Sequence, residues 1–245
     1  MGRSPNRKMV FKQFTVYDSK CAMKIGTDAV VLGVLASHPS PKSIVDIGTG
    51  SGVVALMLSQ RYPDSLTLGI ELEPNAFQQA SENILNSPFN DRVRCLQSSF
   101  QSWVNDKTNL KSIDLIVSNP PFFKDKPKSP IEARNLARHD DSLKINEIFS
   151  GASKALRDSG VLCVVWTEER RLDLENAALN SGFYLKKRWG ILPTVNHPAV
   201  RFVAEFIQQP CSAIETEIIL EIGEGQERNF TTEYLALMSD FFLKA

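Results

Sequence analysis

The chain has 245 residues, 42% of them hydrophobic and 23% charged, and its formal net charge is zero because 28 basic residues balance 28 acidic ones. This composition indicates a folded globular protein of about one domain and excludes an intrinsically disordered chain. No apolar run approaches the roughly 20 residues that span a bilayer. No apolar segment follows the polar residues 1–8, so we expect neither a signal peptide nor a membrane span and predict a cytoplasmic location.

The residue types that bind metals are scattered along the sequence. The four cysteines lie far apart, without a C-x-x-C pair, and the three histidines stand alone. Structural zinc sites and disulfide frameworks both need closer or more regular spacings. We therefore expect no metal and no disulfide framework.

From residue 43 onward, apolar runs of strand length alternate with segments whose apolar residues have helical spacing. The predicted strands cover residues 43–47, 66–72, 92–97, 113–118 and 160–166, and the predicted helices cover residues 53–61, 75–86, 142–156 and 168–180. The segment 101–109 is ambiguous. Repeated strand–helix units predict an open, mostly parallel sheet with helices on both faces, which is a Rossmann-like α/β fold.

Two further β runs, over residues 183–192 and 201–208, are joined by a loop around residues 193–198. They predict an antiparallel hairpin at one edge of the sheet, which brings the sheet to seven strands. The one long irregular stretch covers residues 122–141. Loops of that length are uncommon inside a domain and are usually functional or mobile.

Elements are also predicted on either side of this sheet. A helix over residues 27–37, capped by Thr27 or Asp28, precedes it. A possible strand over residues 215–222 and a last helix over residues 232–243 follow it.

A glycine-rich segment, Asp46-Ile47-Gly48-Thr49-Gly50-Ser51-Gly52, follows the first strand of the sheet and opens a helix. Glycines allow a tight turn and a close approach of the backbone to a ligand, and the helix N-terminus offers unpaired N–H groups. The spacing G-x-G-x-G differs from the G-x-G-x-x-G of dinucleotide-binding proteins. The carboxylate two residues before the first glycine would repel a pyrophosphate but suits the ammonium and sulfonium of S-adenosylmethionine. The alternative is a purely structural strand–helix turn.

An acidic residue ends the second strand. Glu71 lies 19 residues after Gly52, where this fold places the carboxylate that accepts hydrogen bonds from ribose hydroxyls. Glu73 comes after the strand and is expected to point elsewhere. A lone glutamate at a strand end is usually a surface residue, but the spacing from the glycine loop favours a role in cofactor binding for Glu71.

The sequence Asn119-Pro120-Pro121-Phe122 follows the fourth strand, at the carboxyl edge of the sheet, where ligands bind in open α/β folds. The two prolines remove backbone donors and stiffen the loop. They leave the Asn119 amide oxygen and a backbone carbonyl as fixed acceptors for an –NH2 group, and Phe122 can stack on a planar base. Accepting both amine hydrogens aims the nitrogen lone pair at a methyl donor. The pattern predicts methylation of an exocyclic amine.

Basic residues cluster in three places, at residues 1–24, 124–138 and 186–188. A basic face on a protein of zero net charge fits an anionic partner that is met at one surface. Each cluster taken alone is equally consistent with a solvated loop or tail.

The motifs resemble those of class I methyltransferases that act on exocyclic amines or side-chain amides, and in more detail those of bacterial tRNA1(Val) (adenine-37-N6)-methyltransferases. The resemblance runs from about residue 9 to about residue 208. It rests on Phe11-Lys12-Gln13-Phe14, Met23-Lys24-Ile25-Gly26-Thr27-Asp28-Ala29, the glycine motif, and Asn119-Pro120-Pro121-Phe122-Phe123 followed by Arg134 and Ala137-Arg138-His139.

The resemblance implies S-adenosylmethionine as cofactor and the anticodon loop of a tRNA as partner. It implies that residues 1–37 pack on the cofactor site and that residues 38–245 form the catalytic part of a single domain. The implied cofactor-binding residues are Lys24, Thr27, Asp46, Gly48, Gly50, Gly52, Glu71, Ser99, Phe100 and Asn119. Asn119, Pro120 and Phe122 would hold the target adenine, and Lys12, Phe123, Arg134 and Arg138 would contact the RNA. A monomer is favoured.

One position departs from the family pattern. After the third strand such proteins usually carry an acidic residue that contacts the adenine amine of the cofactor, whereas this chain has Ser99. A serine hydroxyl can still accept one hydrogen bond, and Phe100 could stack on that adenine. We expect weaker cofactor binding at this subsite.

Other proteins with the N-P-P-[FY] motif remain alternatives. Glutamine methyltransferases acting on release factors generally have Tyr where this chain has Phe122, and they carry a separate helical domain. The guanine-N2 ribosomal RNA methyltransferases with this motif tend to carry a duplicated domain. A DNA adenine methyltransferase would need a target-recognition domain. A catalytically silent RNA-binding module is disfavoured, because both the glycine loop and the Asn119–Phe122 motif are intact.

Overall fold

The computed structural model describes residues 7–121, 144–223 and 228–243. The strands in these residues are β1 (Lys8–Val10), β2 (Thr15–Tyr17), β3 (Ser43–Ile47), β4 (Leu66–Glu71), β5 (Val93–Gln97), β6 (Ile113–Ser118), β7 (Leu156–Thr167), β8 (Tyr184–Thr194), β9 (Arg201–Ile207), β10 (Ile214–Ile222) and β11 (Asn229–Phe230). The helices are α1 (Thr27–Leu35), α2 (Val53–Arg61), α3 (Pro74–Leu85), α4 (Phe100–Val104), α5 (Ile145–Ala155), α6 (Arg171–Asn180) and α7 (Thr232–Met238). No helix in these ranges is both long enough and apolar enough to cross a membrane.

One large sheet has the strand order β11-β10-β8-β9-β7-β6-β3-β4-β5, and β1 pairs with β2 in a separate hairpin. Strands β3 to β7 are parallel to one another, while β8 and β9 form an antiparallel pair. The predicted α/β fold, with its mostly parallel sheet and its antiparallel hairpin, is confirmed. Because β3 to β7 are parallel, all their carboxyl ends lie at one edge.

The predicted seven strands are β3 to β9, and two more strands extend the sheet beyond the hairpin. β10 pairs in parallel with β8, and β11 pairs antiparallel with the end of β10. Within the described residues, β10 therefore pairs with the outer strand of the hairpin, β8. The burial of Ile218 of β10 in the core gives one reason for this extension.

The sheet has an apolar core on each face, which explains why its central strands read as continuous apolar runs. All six residues of β6 are buried. On one face the sheet packs against α1, α2 and α7, and on the other against α4, α5 and α6. The sheet edge that carries the ends of β3, β4 and β6 is thus supported from both sides.

Several element boundaries differ from the predictions. Gly26, not Thr27 or Asp28, is the N-cap of α1, and no side chain caps that helix end. The ambiguous segment 101–109 holds α4 and the 3-10 turn Lys107–Asn109. The predicted helix over 168–180 begins as a 3-10 turn before α6. The predicted helix over 232–243 ends at Met238, after which Phe241 packs into the core.

Candidate active site

The carboxyl ends of β3, β4 and β6 lie side by side, because β3 sits between the other two strands. Ile47, the last residue of β3, pairs with Ile70 of β4 and with Ser118 of β6. The glycine loop that follows β3 therefore lies between Glu71 on one side and Asn119 on the other. Ligands bind at this edge in open α/β sheets.

Three glycines shape the loop after β3. Gly48, Gly50 and Gly52 have φ angles of 67°, 57° and 81°, a region that residues with side chains rarely adopt. A Cβ atom on Gly48 would meet nothing within 4 Å, so the loop borders open space there. The N–H groups of Gly48 and Thr49 donate to the Ile70 carbonyl at 2.9 and 3.1 Å. The loop is a cradle tied to the end of β4.

Glu71 is held by backbone donors from two directions. Its Oε2 accepts from the Gly50 N–H at 2.8 Å, and its Oε1 accepts from the Glu73 N–H at 2.9 Å. The residue is 9% exposed. Because each carboxylate oxygen can accept more than one hydrogen bond, the group still offers acceptors to a ligand. Glu73 points elsewhere, as predicted, and caps α3.

Asp46 is a buried carboxyl beneath the glycine loop. Its Oδ2 accepts a hydrogen bond from the Thr49 hydroxyl at 2.6 Å. Gly69 faces it on β4 and leaves room for Thr49, because a Cβ there would lie 2.8 Å from the Thr49 side chain. Burial raises the pKa of Asp46 to about 7, against the opposing effect of hydrogen bonds from Thr49 and the Ala55 N–H. Glu71 raises that pKa further.

Asn119 follows the last residue of β6, and its Oδ1 atom is buried without a hydrogen-bond partner. Such an orphaned acceptor is costly, because it has lost water and gained nothing in exchange. Pro120, which follows, is buried as well. The geometry therefore indicates an acceptor that a bound ligand satisfies.

Residues 18–25 form a loop that is held closed by its own side chains. The Lys24 ammonium donates to the carbonyl oxygens of Asp18, Ser19 and Cys21 at 2.6, 3.1 and 2.7 Å, and Asp18 accepts from the Ile25 N–H at 2.9 Å. All three ammonium donors are thus used inside the loop. The sequence predicts a direct contact between Lys24 and the cofactor. In the structure the Lys24 ammonium instead holds its own loop together through these three hydrogen bonds.

The closed loop 18–25 lies beside Glu71. Burial raises the pKa of the Cys21 thiol to about 12, and the charge of Glu71 adds to that shift. Thr27 begins α1 just after the loop and is exposed. This segment therefore lies near Glu71, while its packing on the cofactor, which the family resemblance implies, stays a prediction.

Ser99 and Phe100 follow β5 at the same edge but face different surroundings. The Ser99 hydroxyl caps α4 by accepting from the Ser102 N–H at 3.1 Å. Phe100 is 3% exposed, its ring stacks on Trp103, and Gly151 of α5 leaves the space that the ring fills. The expected stacking of Phe100 on the cofactor's adenine is therefore wrong, because the ring is part of the core.

Truncating Phe100 tests its assignment to the core. We expect Phe100→Ala to lower the free energy of unfolding by about 3–5 kcal/mol, because a buried aromatic ring leaves a cavity. Urea unfolding of Phe100→Ala and of Leu172→Ala, whose side chain is 73% exposed, supplies the comparison. A loss for Phe100→Ala as small as that of the exposed control would show that the ring is not packed as described.

Only some of the residues predicted to contact RNA lie within the part of the chain that the structure describes. Phe122, Phe123, Arg134 and Arg138 lie outside the described residues. Lys12 donates to the Ser239 carbonyl at 2.5 Å and lines a cavity of about 570 Å³ with Arg61 and Asp240. That cavity lies at the end of α2 opposite the glycine loop, so Lys12 is not brought to the candidate site. In the basic group 186–188, Arg188 is 9% exposed and forms ion pairs with Glu168 and Glu215.

A buried asparagine that sequence analysis missed links three parts of the site. The Asn83 side chain of α3 accepts from the Tyr17 N–H and donates to the carbonyl oxygens of Tyr17 and Ser51, at 3.0, 2.8 and 2.8 Å. It therefore joins β2 to the glycine loop. An asparagine inside a helix carries no local signal of such a contact, so only the three-dimensional arrangement shows it.

The donors and acceptors at this edge fit S-adenosylmethionine. A buried carboxyl, Asp46, lies under a glycine cradle that borders open space, and the Glu71 carboxylate has free acceptor capacity beside it. The orphaned Asn119 oxygen lies across the loop. The described residues hold no group of three or more His, Cys, Asp or Glu side chains that could bind a metal. The set suits a cationic, ribose-containing ligand.

The pKa of Asp46 predicts how binding of this cofactor depends on pH. The folded protein takes up a proton at Asp46 as the pH falls through about 7, and a cationic ligand favours the ionised carboxylate. Affinity should therefore fall below pH 7, by up to about tenfold per pH unit. Calorimetric titrations between pH 5.5 and 7 would measure this slope. Asp46→Asn should bind more weakly and with a flat profile, and equal slopes in both proteins would contradict the assignment.

Comparison with known proteins gives matches in both sequence and structure. The family model described as Methyltransferase small domain matches residues 10–184. A tRNA1(Val) (adenine(37)-N6)-methyltransferase of Christiangramia forsetii is 38% identical over 242 residues, covering 98% of this chain and 99% of that protein. One from Escherichia coli O157:H7 is 33% identical, covering 95% and 94%. The crystal structure of a predicted O-methyltransferase from Agrobacterium tumefaciens has a TM-score of 0.70 at 17% identity, covering 87% of this chain and 96% of that one.

Proposed function

The chain belongs to the methyltransferase small-domain family and, within it, to the family of tRNA1(Val) (adenine(37)-N6)-methyltransferases, and from this we propose that it methylates the N6 amine of adenine 37 in tRNA1(Val). S-adenosylmethionine is the methyl donor. The partner is the anticodon loop of the tRNA, and a cytoplasmic location fits such a substrate.

The observation that carries the proposal is the orphaned Oδ1 atom of Asn119. It lies at the end of β6, directly beside the glycine loop that follows β3. An amide oxygen there accepts a hydrogen bond from an amine, and the carbonyl of the buried Pro120 is the second acceptor. A non-enzymatic RNA-binding module has no need for a buried acceptor next to a cofactor cradle.

The protein acts in this reaction mainly by positioning. When bound, S-adenosylmethionine supplies an electrophilic methyl group on a sulfonium sulfur. Asn119 and the Pro120 carbonyl hold both hydrogens of the adenine amine and so direct its lone pair at that carbon. Stacking of Phe122 on the ring is a prediction from the sequence, because Phe122 lies outside the described residues. The same two acceptors stabilise the positive charge that develops on the nitrogen, and the extra proton leaves after transfer, so the site needs no strong base.

The remaining residues hold the cofactor in register. Asp46 would hold its cationic end, Glu71 would accept hydrogen bonds from the ribose hydroxyls, and the Ser99 hydroxyl would contact the adenine. The loop 18–25, shaped by Lys24, and the start of α1 at Thr27 cover this side of the site. These roles are supported by the burial of Asp46 and Glu71 and by the hydrogen bonds that fix the loop.

RNA contacts by Phe123, Arg134 and Arg138 remain predictions from the sequence. Lys12 donates a hydrogen bond to the carboxyl-terminal segment. It would contact only an RNA that reaches the end of α2 opposite the glycine loop. A monomer likewise stays a prediction from the sequence.

A methyl-transfer assay tests the proposal against its rivals. Purified protein and S-adenosylmethionine are incubated with unmodified tRNA transcripts, with ribosomal RNA or with a release factor, and the products are identified by mass spectrometry. We expect N6-methyladenosine in the tRNA alone. N2-methylguanosine in ribosomal RNA, or a methylated glutamine in the release factor, would keep the cofactor and refute the substrate.

A further inference from the structure

Strand β7 extends beyond the end of β6 at the carboxyl edge of the sheet. Ser118, the last residue of β6, pairs with Val164 of β7, and β7 continues for three more residues to Thr167. Continued past the end of β6, this register brings Thr167 level with Pro121, two residues beyond Asn119.

Strand alternation puts Thr167 on the face of the sheet that packs against α1 and α2, which is also the face of Val117, two residues before Asn119. Val165 of β7 and Val117 of β6 both pack into the core that faces α1 and α2. Successive side chains alternate between faces, so Thr167, two positions after Val165 in β7, returns to this side. Arg201, which pairs with Thr167, also faces α1.

An ion pair links the start of β9 to α1 at this end of the sheet. The Arg201 guanidinium lies 3.6 Å from the carboxylate of Asp28, in the first turn of α1. The start of β9 is thereby tied to the segment that covers the cofactor. Thr167 lies next to this ion pair, because it pairs with Arg201 across the sheet.

The Thr167 hydroxyl is orphaned. The residue is 7% exposed, and its Oγ1 atom is buried with no hydrogen-bond partner. Asn119 Oδ1 is in the same condition on the neighbouring strand end. Buried polar atoms in native proteins are nearly always paired. Among the nine buried side-chain atoms of the described residues that have no hydrogen-bond partner, these two belong to the ends of the neighbouring parallel strands β6 and β7, at the edge where ligands bind.

We propose that Thr167 is a specificity-determining residue whose hydroxyl donates a hydrogen bond to a ring nitrogen of the target adenine, beside the amine held by Asn119. The inference rests on the proposed function. The adenine amine is a donor flanked by ring nitrogens that only accept. An amide oxygen and a hydroxyl donor side by side match that pattern, because asparagine Oδ1 accepts and threonine donates.

The test combines two variants with two altered substrates. Thr167→Val keeps the shape and removes the hydroxyl, and we expect kcat/KM for tRNA to fall about tenfold while the Kd for S-adenosylmethionine stays unchanged. Its Tm should be equal or higher, because an orphaned buried hydroxyl destabilises the free protein. Thr167→Ser should recover most of the lost activity. Thr216→Val, at an exposed threonine of β10, is the matched control.

Transcripts carrying 1-deazaadenosine or 7-deazaadenosine at the target position identify the acceptor. One of the two analogues should lower kcat/KM of the wild-type enzyme about tenfold. The same analogue should change kcat/KM of Thr167→Val little, because that variant already lacks the hydrogen bond from the Thr167 hydroxyl. Unchanged activity of Thr167→Val, a parallel loss of its activity and Tm, or additive losses with both analogues would overturn the inference. If the wild-type enzyme forms no N6-methyladenosine at all, the proposed function itself fails, which is a distinct outcome.

Discussion

Asn119→Ala is expected to lower kcat by about a hundredfold to a thousandfold, the scale seen when a preorganised polar group in an active site is removed. Without the amide oxygen, one amine hydrogen loses its acceptor and the lone pair is no longer aimed at the methyl carbon. The Kd for S-adenosylmethionine should change little, because Asp46 and Glu71 lie on other strands. Single-turnover methyl transfer and calorimetric cofactor binding separate the two effects.

The matched control for this variant is Asn105→Ala, at an exposed asparagine after α4. It should behave like the wild-type enzyme. Because Asn119 Oδ1 accepts no hydrogen bond in the free protein, its removal should not lower the Tm either. A kcat within a few-fold of the wild-type value would show that Asn119 does not hold the reacting amine.

The second large effect is expected at Glu71, where Glu71→Ala should weaken cofactor binding about a hundredfold. The change removes the ribose acceptor and also releases the Gly50 N–H, which the carboxylate holds at 2.8 Å. Hydrogen bonds to a charged group contribute about 1.5–3 kcal/mol each, and tenfold corresponds to about 1.4 kcal/mol. At saturating S-adenosylmethionine the kcat should remain close to that of the wild-type enzyme.

The two variants should therefore differ in their kinetics. Glu71→Ala should raise the KM for the cofactor, whereas Asn119→Ala should lower kcat. Glu71→Gln, which keeps one acceptor oxygen, should fall between the wild-type enzyme and Glu71→Ala. Glu217→Gln, at an exposed glutamate of β10, controls for the loss of a negative charge. A cofactor affinity for Glu71→Ala equal to that of this control would remove Glu71 from the site.

The sequence predicts best where a local pattern determines the structure. Strands Ser43–Ile47 and Ile113–Ser118 begin and end as predicted, because each is a largely buried, mainly apolar run that is followed at once by a glycine-rich or proline-rich loop. The glycine loop and Asn119 come together because parallel strands share an edge, and the alternating pattern already implies this. The outer edge of the sheet is harder to predict from the sequence. The paired positions of β10 and β8 are more than twenty residues apart in the sequence, and nothing local specifies that pairing.

Side-chain roles were predicted less well than backbone positions. Lys24 lies in a segment that does reach the site, but its ammonium is used on three carbonyls of its own loop. Phe100 lies next to Ser99 at the expected edge, yet its ring turns into the core against Trp103. Thr167 carries no motif, and its place at the carboxyl edge of the sheet, beyond the end of β6, follows only from the register between β6 and β7. Each of these depends on where a side chain points, which sequence spacing does not specify.

The most direct test of the central assignment uses two transcripts of tRNA1(Val) that differ only at nucleotide 37. One carries adenine and the other guanine, and methyl incorporation from labelled S-adenosylmethionine is measured on both. The proposed function predicts close to one methyl group per molecule of the adenine transcript, recovered as N6-methyladenosine, and none on the guanine transcript. Equal incorporation into both transcripts would show that the enzyme acts on another nucleotide.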